Sequence, residues 1–262
     1  MKILLMLCCA LLGVADAAAQ QLPSVEELLP RIQAYARQYR QNIPSFEADE
    51  AVTSQLLAGG AVKKQVRAEM TMRLIRSQTD PEEMTDHYTI HSVNGKPLHV
   101  VGFLPIYRKA EFPYFVHNVF SNVIGMSGKG HGQCNLYRIL PGNSPDTVTF
   151  ELWNNPDAPA EECKDNLDGY HKTLLVERDS GRVLRVVRSM SAEAARQHHE
   201  VGYTDVEFAS QKLGEESFLL PIRFTAHDGT GDRRITATYS NFHRYTSTAS
   251  MHEVEDLPVS AP

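Results

Sequence analysis

The dominant pattern in this sequence is a two-residue alternation of apolar and polar side chains that begins at position 66. The apolar set is Val66, Ala68, Met70, Met72 and Leu74, and the residues between them are Arg67, Glu69, Thr71 and Arg73. Successive side chains of a β-strand point to opposite sides, so this period predicts a strand with one apolar and one charged face. A sheet built from such strands must bury its apolar face against another element.

The rest of the chain repeats this pattern in short segments separated by turn residues. Further strands are predicted at residues 87–93, 96–104, 147–153, 170–178, 183–189, 204–208, 218–226 and 235–245. Asn94-Gly95 suits a tight hairpin turn, and residues 179–182 suit another. About ten strands with short connections predict a mainly β chain with helices (α+β), built on a single antiparallel sheet.

Two amphipathic helices accompany the strands. Ser24 and Glu27 have the capping-box spacing at the start of a helix of about 18 residues that ends before Pro44. A second helix is predicted at residues 113–124, which begin with proline and are followed by glycine. Its apolar stripe consists of Phe115, Val116, Val119, Phe120, Val123 and Ile124. These helices are the elements available to cover the apolar face of the sheet.

The first nineteen residues predict a targeting segment that is removed after export. Lys2 precedes an apolar run of about a dozen residues, and the alanines at 17–19 are the small side chains that signal peptidase requires. The run is shorter than the roughly 20 residues of a membrane-spanning helix, so no transmembrane segment is expected in the mature chain. We expect an exported, periplasmic protein cleaved near Ala19, with a signal peptide at 1–19, one domain at 20–250 and a loose tail at 251–262.

Four cysteines divide between the targeting segment and the domain. A lipoprotein anchor would require a small residue before the acceptor cysteine, whereas Cys8 and Cys9 lie inside the apolar run and follow Leu7 and Cys8. Cys134 and Cys163 remain in the mature chain, and an exported protein meets an oxidising compartment. A disulfide between Cys134 and Cys163 is the prediction, and two unbonded thiols on separate loops are the alternative.

The catalytic motifs in this sequence are incomplete, which favours a binding protein over an enzyme. The formal net charge is −6, which gives no electrostatic reason to bind nucleic acid. His199-Glu200 begins like a zinc-protease helix, but Tyr203 occupies the place of the second histidine. Gly125 to Lys129 resembles a nucleophile elbow but ends in lysine where glycine is required. We therefore expect no catalytic residues.

Eleven histidines are scattered along the chain, and most are expected to be surface residues. His87 and His91 would share one face of a strand, and His99 on the returning strand would lie near them. This trio is the best metal candidate, but no cysteine or carboxylate pair stands close in sequence. The prediction is that the protein has neither a metal site nor a cofactor.

Three C-terminal segments occur in a recognisable order. They are Glu177-Arg-Asp-Ser-Gly-Arg-Val-Leu-Arg185, Tyr203-Thr-Asp-Val206 leading to Phe218-Leu-Leu-Pro-Ile-Arg223, and Asn241-Phe-His-Arg-Tyr245. An exported N-terminal helix, a long alternating strand and the Ser92-Val-Asn-Gly-Lys-Pro97 hairpin precede them. The arrangement resembles the LolA/LolB-like superfamily, the exported proteins related to outer-membrane lipoprotein-sorting carriers, over about residues 24 to 247.

The resemblance implies a strongly curved antiparallel sheet, an open half-barrel, with both helices on its concave face and an apolar cavity between. The cavity lining is then expected to be Met70, Met72, Phe115, Val119, Phe120 and Val123. The implied function is non-enzymatic binding of a lipid, acyl chain or other hydrophobic small molecule, in lipid or lipoprotein transport or sensing. A structural or protein-interaction module of the envelope with a filled core is the alternative, and a secreted hydrolase is a more remote one.

Overall fold

The computed structural model describes residues 22–77, 84–101, 133–159, 161–163, 169–197, 202–228 and 230–245. Two helices lie in these ranges, α1 (Val25–Asn42) and α2 (Ala192–Gln197). The strands there are β1 (Phe46–Ala58), β2 (Ala61–Arg76), β3 (Met84–Val93), β4 (Lys96–Val101), β5 (Asn135–Pro141), β6 (Thr147–Asn154), β7 (His171–Glu177), β8 (Val183–Ser189), β9 (Tyr203–Leu213), β10 (Glu216–His227) and β11 (Arg233–Arg244). Within these ranges, no helix has the length and apolar content needed to cross a membrane.

Helix α1 forms where the capping box predicts it. The Ser24 hydroxyl accepts a hydrogen bond from the Glu27 amide at 3.3 Å, and the Glu27 carboxylate accepts one from the Ser24 amide at 2.9 Å. The helix ends two residues before Pro44, since proline disfavours helical geometry in the residue before it. Its buried face contains Leu28, Ile32, Ala36 and Tyr39, and the predicted helix is confirmed.

All eleven described strands belong to one antiparallel sheet. Its order is β4-β3-β2-β1-β11-β10-β9-β8-β7-β6-β5, so each strand lies beside its neighbour in the chain except where β1 pairs with β11. That pairing joins residues far apart in sequence, such as Phe46 and Arg244. The sheet is not closed, because β4 and β5 are its two edges. The predicted single antiparallel sheet is confirmed.

The sheet curls around α1. Eleven strands laid flat would be roughly 48 Å across, whereas a helix is about 10 Å wide. Nevertheless α1 and residues from β1–β3 and β6–β11 form one buried cluster. One wing of the sheet is β1–β4 and the other is β5–β11. Helix α1 hydrogen-bonds to the end of β2 in the first wing and to the turn after β7 in the second, and five strands lie between β2 and β7. One helix can reach both places only if the sheet is strongly curved. The architecture is an open half-barrel, as predicted, with α1 on its concave face.

Both wings are also tied to α1 by hydrogen bonds. The Arg31 guanidinium donates to the carbonyl oxygen of Arg178, in the turn between β7 and β8, at 3.1 Å. From the end of β2, the Arg76 guanidinium donates to the carbonyl oxygen of Arg40 at 2.7 Å and to that of Ile43 at 3.1 Å. Helix α1 therefore holds the two wings at a set separation.

Three described elements were not predicted from the sequence. Strand β1 alternates through Phe46, Ala48 and Val52, but Glu50 occupies an inward position and breaks the apolar pattern. Strand β5 is an edge strand whose Leu136 is exposed, so its alternation is weak. Helix α2 has only six residues. The predicted helix at 113–124, the targeting segment at 1–19 and the tail at 251–262 lie outside the described residues.

Cys134 and Cys163 form a disulfide, with their Cα atoms 5.5 Å apart, and this prediction is confirmed. Cys134 immediately precedes the edge strand β5, and its carbonyl oxygen accepts a hydrogen bond from the Asn155 amide at 2.9 Å. The bridge closes a loop with a sequence separation of 29. It therefore fastens an edge of the half-barrel to the segment that follows β6.

The convex face of the sheet carries charged pairs between neighbouring strands. Arg185 of β8 contacts Asp205 of β9 at 2.6 Å, and Arg138 of β5 contacts Glu151 of β6 at 2.5 Å. Such exposed pairs each contribute little to stability, but they make this face compatible with water. The two faces of the sheet thus differ as the alternating sequence predicts.

Candidate functional site

Met70 and Met72 lie on the concave face of β2. Their side chains are 3% and 4% exposed. In the register of the sheet, Met70 is opposite Glu50 of β1 and Ile90 of β3, and Met72 is opposite Tyr88. These neighbours are buried as well. The structure brings the two methionines together in the packed interior of one wing.

The other four residues of the predicted lining cannot be placed beside them. Phe115, Val119, Phe120 and Val123 lie outside the described residues. Their part in a cavity therefore stays a prediction. What the structure defines on the concave face is the sheet itself and the end covered by α1.

A row of buried polar side chains crosses the concave face of the other wing. Lys172 of β7 is directly opposite Arg188 of β8, and Arg188 is opposite Thr204 of β9. Each residue is two positions from an inward apolar residue of its own strand, namely Leu174, Val186 or Val206. Directly opposed residues on one face of a sheet have Cβ atoms about 5 Å apart. Two cationic side chains and a hydroxyl therefore share one patch of an otherwise apolar surface.

Lys172 is the most unusual member of this row. Its side chain is 2% exposed, and no described residue accepts a hydrogen bond from its Nζ. Burial and the nearby Arg188 charge lower the pKa of Lys172 from 10.5 to about 7. A buried ammonium group without a partner is unfavourable, because it loses its hydration and gains nothing in return. This amine is therefore ready to accept an anionic partner.

Arg188 and Tyr170 complete the polar patch. Burial lowers the pKa of Arg188, which nevertheless remains a cation at neutral pH. Burial also raises the pKa of Tyr170, with the Arg188 charge opposing that rise. The Tyr170 hydroxyl therefore keeps its proton at neutral pH and can donate it in a hydrogen bond. Four donor-bearing side chains thus meet at one place on the concave face: Tyr170, Lys172, Arg188 and Thr204.

Among the described residues, the buried carboxylate of the concave face lies on the other wing. Glu50 of β1 is 2% exposed and sits opposite Met70 of β2 and Tyr239 of β11. Strands β11, β10, β9 and β8 lie between β1 and β7 in the sheet. The causes that displace the pKa of Lys172 are burial and Arg188, and Glu50 is not among them. The acidic and the cationic positions of this face are therefore separate.

Helix α1 covers the opposite end of β7 from Lys172. Gly181, in the turn after β7, packs directly against the backbone of Arg31 and Ile32. Beside this turn, the rings of Tyr35 and Tyr39 lie 6.0 Å apart. Lys172 is four residues from Val176, or about 13 Å along the strand. The concave face of this wing therefore has an end covered by α1 and a polar patch at the other end.

This polar patch was not predicted from the sequence, although a signal was present. Lys172 alternates with Leu174 and Val176, and Arg188 alternates with Val186. A cation at the inward position of an amphipathic strand is the signal that marks such a site. What sequence could not provide was the pairing of β7 with β8, which places the two cations opposite each other.

Only two members of the histidine trio, His87 and His91, have side chains in the described part of the chain. His91 shares a hydrogen bond of 2.8 Å with the hydroxyl of Thr71, and His87 lies 3.4 Å from that of Thr85. The side chain of His99 lies outside the described residues. Among the residues that are described, no cluster of three or more His, Cys, Asp or Glu side chains is arranged to hold a metal ion.

No protein-family model matches this sequence, and no curated protein sequence matches it either. Comparison with solved structures does find likenesses. One is to a domain from Vibrio parahaemolyticus described as an outer-membrane lipoprotein-sorting protein, at 12% identity and a TM-score of 0.46. The match covers 88% of this chain and 96% of that one.

Two further structures show a similar coverage. A DUF1329 family protein from Desulfovibrio piger matches at 12% identity and a TM-score of 0.42, over 88% of this chain and 96% of that one. A LolA superfamily protein from Nitrosomonas europaea matches at 11% identity and a TM-score of 0.34, over 86% and 95%.

Proposed function

We propose that this chain is a non-enzymatic protein of the cell envelope that binds a hydrophobic ligand, such as a lipid or an acyl chain, on the concave face of its half-barrel. Export to the periplasm, with cleavage near Ala19, is part of the same proposal. Transport or sensing of lipids or lipoproteins would be its role. An envelope protein that delivers or receives the ligand is the second partner in this proposal.

The observation that supports the proposal most is the curved sheet with a single apolar face. Its apolar residues face inward from both wings, and α1 packs against one end of that surface. The inward methionines Met70 and Met72 suit a ligand of variable shape, because their side chains are unbranched and adaptable. A slot of modest length is sufficient for affinity, since each buried methylene contributes about 0.8 kcal/mol.

The test is to purify the mature protein from the periplasm and analyse its organic extract by mass spectrometry. A hydrophobic ligand should copurify in an amount comparable to the protein. After delipidation, the folded protein should increase the fluorescence of N-phenyl-1-naphthylamine, and added acyl chains should displace the dye. The absence of both copurifying lipid and dye uptake would contradict the proposal.

A pair of valine variants localises the binding. Val119→Asp places a charge in the predicted lining, and we expect loss of dye uptake with an unchanged circular dichroism spectrum. Val62→Asp is the matched control, because the Val62 side chain is exposed on β2. Equal dye uptake by both variants would remove Val119 from the lining.

A structural or interaction module with a filled core is the second candidate. The near-complete burial of Met70 and Met72 favours it, since protein atoms already fill the concave face around them. In this case Val119→Asp should unfold the protein, no lipid should copurify, and partners should bind along an edge of the sheet. The edges open to such pairing among the described strands are β4 and β5.

A further inference from the structure

We propose that Lys172 and Arg188 bind the anionic end group of an amphiphilic ligand, a carboxylate or a phosphate, while the apolar part of the ligand lies along the concave face. This inference rests on the proposed function and names the chemical class of its ligand. It requires the ligand to be an anion with an alkyl chain and not a neutral lipid.

The first support is the pairing of two cations on an apolar surface. Lys172 and Arg188 are directly opposed across β7 and β8, and both are buried. Like charges at this spacing repel each other, and burial in an apolar interior strengthens the repulsion. An oxyanion placed between them would turn the repulsion into two attractions. Charge-assisted hydrogen bonds from arginine or lysine to a carboxylate or phosphate are among the strongest in proteins.

The second support is the unsatisfied amine. Lys172 Nζ is buried, and no described residue accepts a hydrogen bond from it. Buried polar groups in native proteins are almost always hydrogen-bonded, and an exception calls for an explanation. An anionic ligand explains it, because its oxygen atoms are the acceptors that the amine lacks.

The groups around Lys172 complement an anion on each side. Strand β8 presents Arg188, the residue before β7 is Tyr170, and β9 presents Thr204 beside Arg188. At the paired position on β6, the neighbour of Lys172 is the apolar Leu152. Each polar member of this set can donate a hydrogen bond, and the described strands place no acidic side chain opposite Lys172.

The position of the patch suits an amphiphile better than a free anion. Beyond Lys172, the inward side of β7 carries the apolar residues Leu174 and Val176. These residues extend over about 13 Å from Lys172 to the end of the strand that α1 covers. An end group held at Lys172 would direct its alkyl chain along these residues. A small anion would gain only the polar contacts and none of the apolar burial.

The experiment compares ligands that share one alkyl chain and differ in the end group. Delipidated mature protein is titrated calorimetrically with dodecanoate, dodecyl phosphate and dodecanol, and with acetate and inorganic phosphate as anions without a chain. We expect dodecanoate or dodecyl phosphate to bind about tenfold to a hundredfold more tightly than dodecanol. Their relative affinities identify the preferred end group. Acetate and phosphate should bind far more weakly than either amphiphile.

Variants of Lys172 assign the preference to this residue. Lys172→Met should remove the preference for the anionic amphiphile while dodecanol binding persists, and Lys172→Arg should retain it. Lys64→Met is the control, because Lys64 is exposed on β2 and its loss removes the same charge. A preference that survives in Lys172→Met would overturn the proposal.

Proton uptake by the unaltered protein provides a readout that needs no variant. With a pKa of about 7, Lys172 is mostly neutral at pH 8 in the free protein, and an anion beside it would restore its proton. Binding of dodecanoate at pH 8 should therefore take up protons, seen as a binding enthalpy that depends on the buffer, whereas binding of dodecanol should not.

The outcomes separate this inference from the proposed function. Equal affinity for dodecanoate and dodecanol, without proton uptake, overturns the anionic end group and leaves hydrophobic binding intact. Failure of all three alkyl ligands to bind overturns the proposed function and this inference with it. Binding of acetate or phosphate as tight as that of the amphiphiles would identify a site for small anions and overturn the amphiphile assignment.

Discussion

The side chain of Lys172 points inward because of its place in the strand, but a buried amine at this position is energetically unfavourable. The alternation of β7 directs its side chain inward, where its amine finds no described acceptor. Replacing a buried charged group with an apolar residue of similar size often stabilises a protein. A chain that keeps lysine at such a position therefore gives up stability there, which is expected where the residue serves binding.

The first prediction concerns the stability of the ligand-free protein. Lys172→Met should raise the free energy of unfolding by about 1–4 kcal/mol at pH 7, because it removes a buried amine without a partner. The pKa of Lys172 is about 7 in the folded protein and about 10.4 in the unfolded chain. Between these values the unfolded chain binds more protons, so the stability of the unaltered protein should rise with pH.

Urea denaturation at pH 7 and pH 9.5 measures this difference. The penalty from Lys172 is complete below its folded pKa and disappears above its unfolded pKa, so the gap between the unaltered protein and Lys172→Met should shrink at the higher pH. Lys64→Met, at an exposed site, should follow the unaltered protein at both values. A gap that stays constant would mean that Lys172 is charged and well solvated in the folded state.

The second prediction concerns the cluster of Glu47, Arg73 and His243, which links β2, β1 and β11. Burial raises the pKa of Glu47, but hydrogen bonds from Arg73, at 2.8 Å, and His243 outweigh this and lower it overall. The pKa of His243 is raised, first by its hydrogen bond to the Asn241 carbonyl oxygen at 2.8 Å and then by Glu47. Glu47→Gln should therefore lower the pKa of His243, as followed by NMR of its ring protons.

The pH dependence of stability follows from the lowered pKa of Glu47 and the raised pKa of His243. The contribution of His243 is present below its unfolded pKa and lost as pH rises through its raised folded pKa. The contribution of Glu47 is present above its unfolded pKa and lost as pH falls through its lowered folded pKa. Because both groups are partly exposed, Glu47→Gln should cost less than about 1 kcal/mol. Glu69→Gln, a change at an exposed position of β2, should leave the pKa of His243 unchanged.

At the scale of elements, the turns and caps position the helix against the sheet. The turn between β7 and β8 contains Gly181, which has a φ of +71°. A Cβ atom at this position would lie 2.5 Å from the carbonyl carbon of Arg31. Glycine is thus required twice there, once by the backbone conformation and once by the approach of α1. The turn is both the end of a hairpin and a docking point for the helix.

The third prediction separates these two requirements. Gly181→Ala should destabilise the protein by several kcal/mol, because it adds a backbone clash with α1 to the cost of a positive φ. Gly60→Ala is the matched control: Gly60 has a φ of +78°, but no atom lies within 4 Å of an added Cβ. The control should cost only about 1–2 kcal/mol in chemical denaturation. Equal costs would show that the turn and α1 can separate without loss.

The fourth prediction concerns the edge strand β5. Removing the Cys134–Cys163 disulfide by Cys163→Ser should lower the free energy of unfolding by about 3.5 kcal/mol for a separation of 29 residues. Hydrogen exchange should become faster first in β5, since this strand has a partner on one side only. Chemical reduction of the unaltered protein should reproduce the effect, and unchanged exchange in β5 would contradict it.

Across the complete fold, helix α1 joins the two wings of the sheet into one core. Strands β1 to β4 form one wing, and β5 to β10 form most of the other, joined along the pairing of β1 with β11. Both wings bury residues in the same cluster as α1. Damage to the buried face of α1 should therefore be felt across the whole sheet.

The fifth prediction tests that coupling. Ile32→Ala removes a fully buried side chain of α1 and should cost about 2–5 kcal/mol. Native-state hydrogen exchange should show reduced protection in β2 and β8 alike, because both wings share the core around this helix. Gln38→Ala, on the exposed side of α1, should change neither. Reduced protection confined to β8 would mean that the wings fold independently.

Local patterns were sufficient to predict most elements of this fold. The capping box at Ser24 and Glu27 predicts the start of α1, because the interactions involved span only three residues. The Asn94-Gly95 turn and the alternation of β2 predict a hairpin and a face for the same reason. The apolar face of β2, with Met70 and Met72 on it, could therefore be predicted. Strand β1 was missed because Glu50 occupies an inward position and interrupts the apolar alternation.

The period of each strand, the ends of the first helix and the single apolar face could be predicted, since they depend on neighbours in the chain. The pairing of β1 with β11, the bridging of both wings by α1 and the placement of Lys172 opposite Arg188 could not. These features depend on register and on contacts between distant segments. A shift of one residue in the pairing would turn every side chain of a strand to the other face, and no local pattern records which pairing wins.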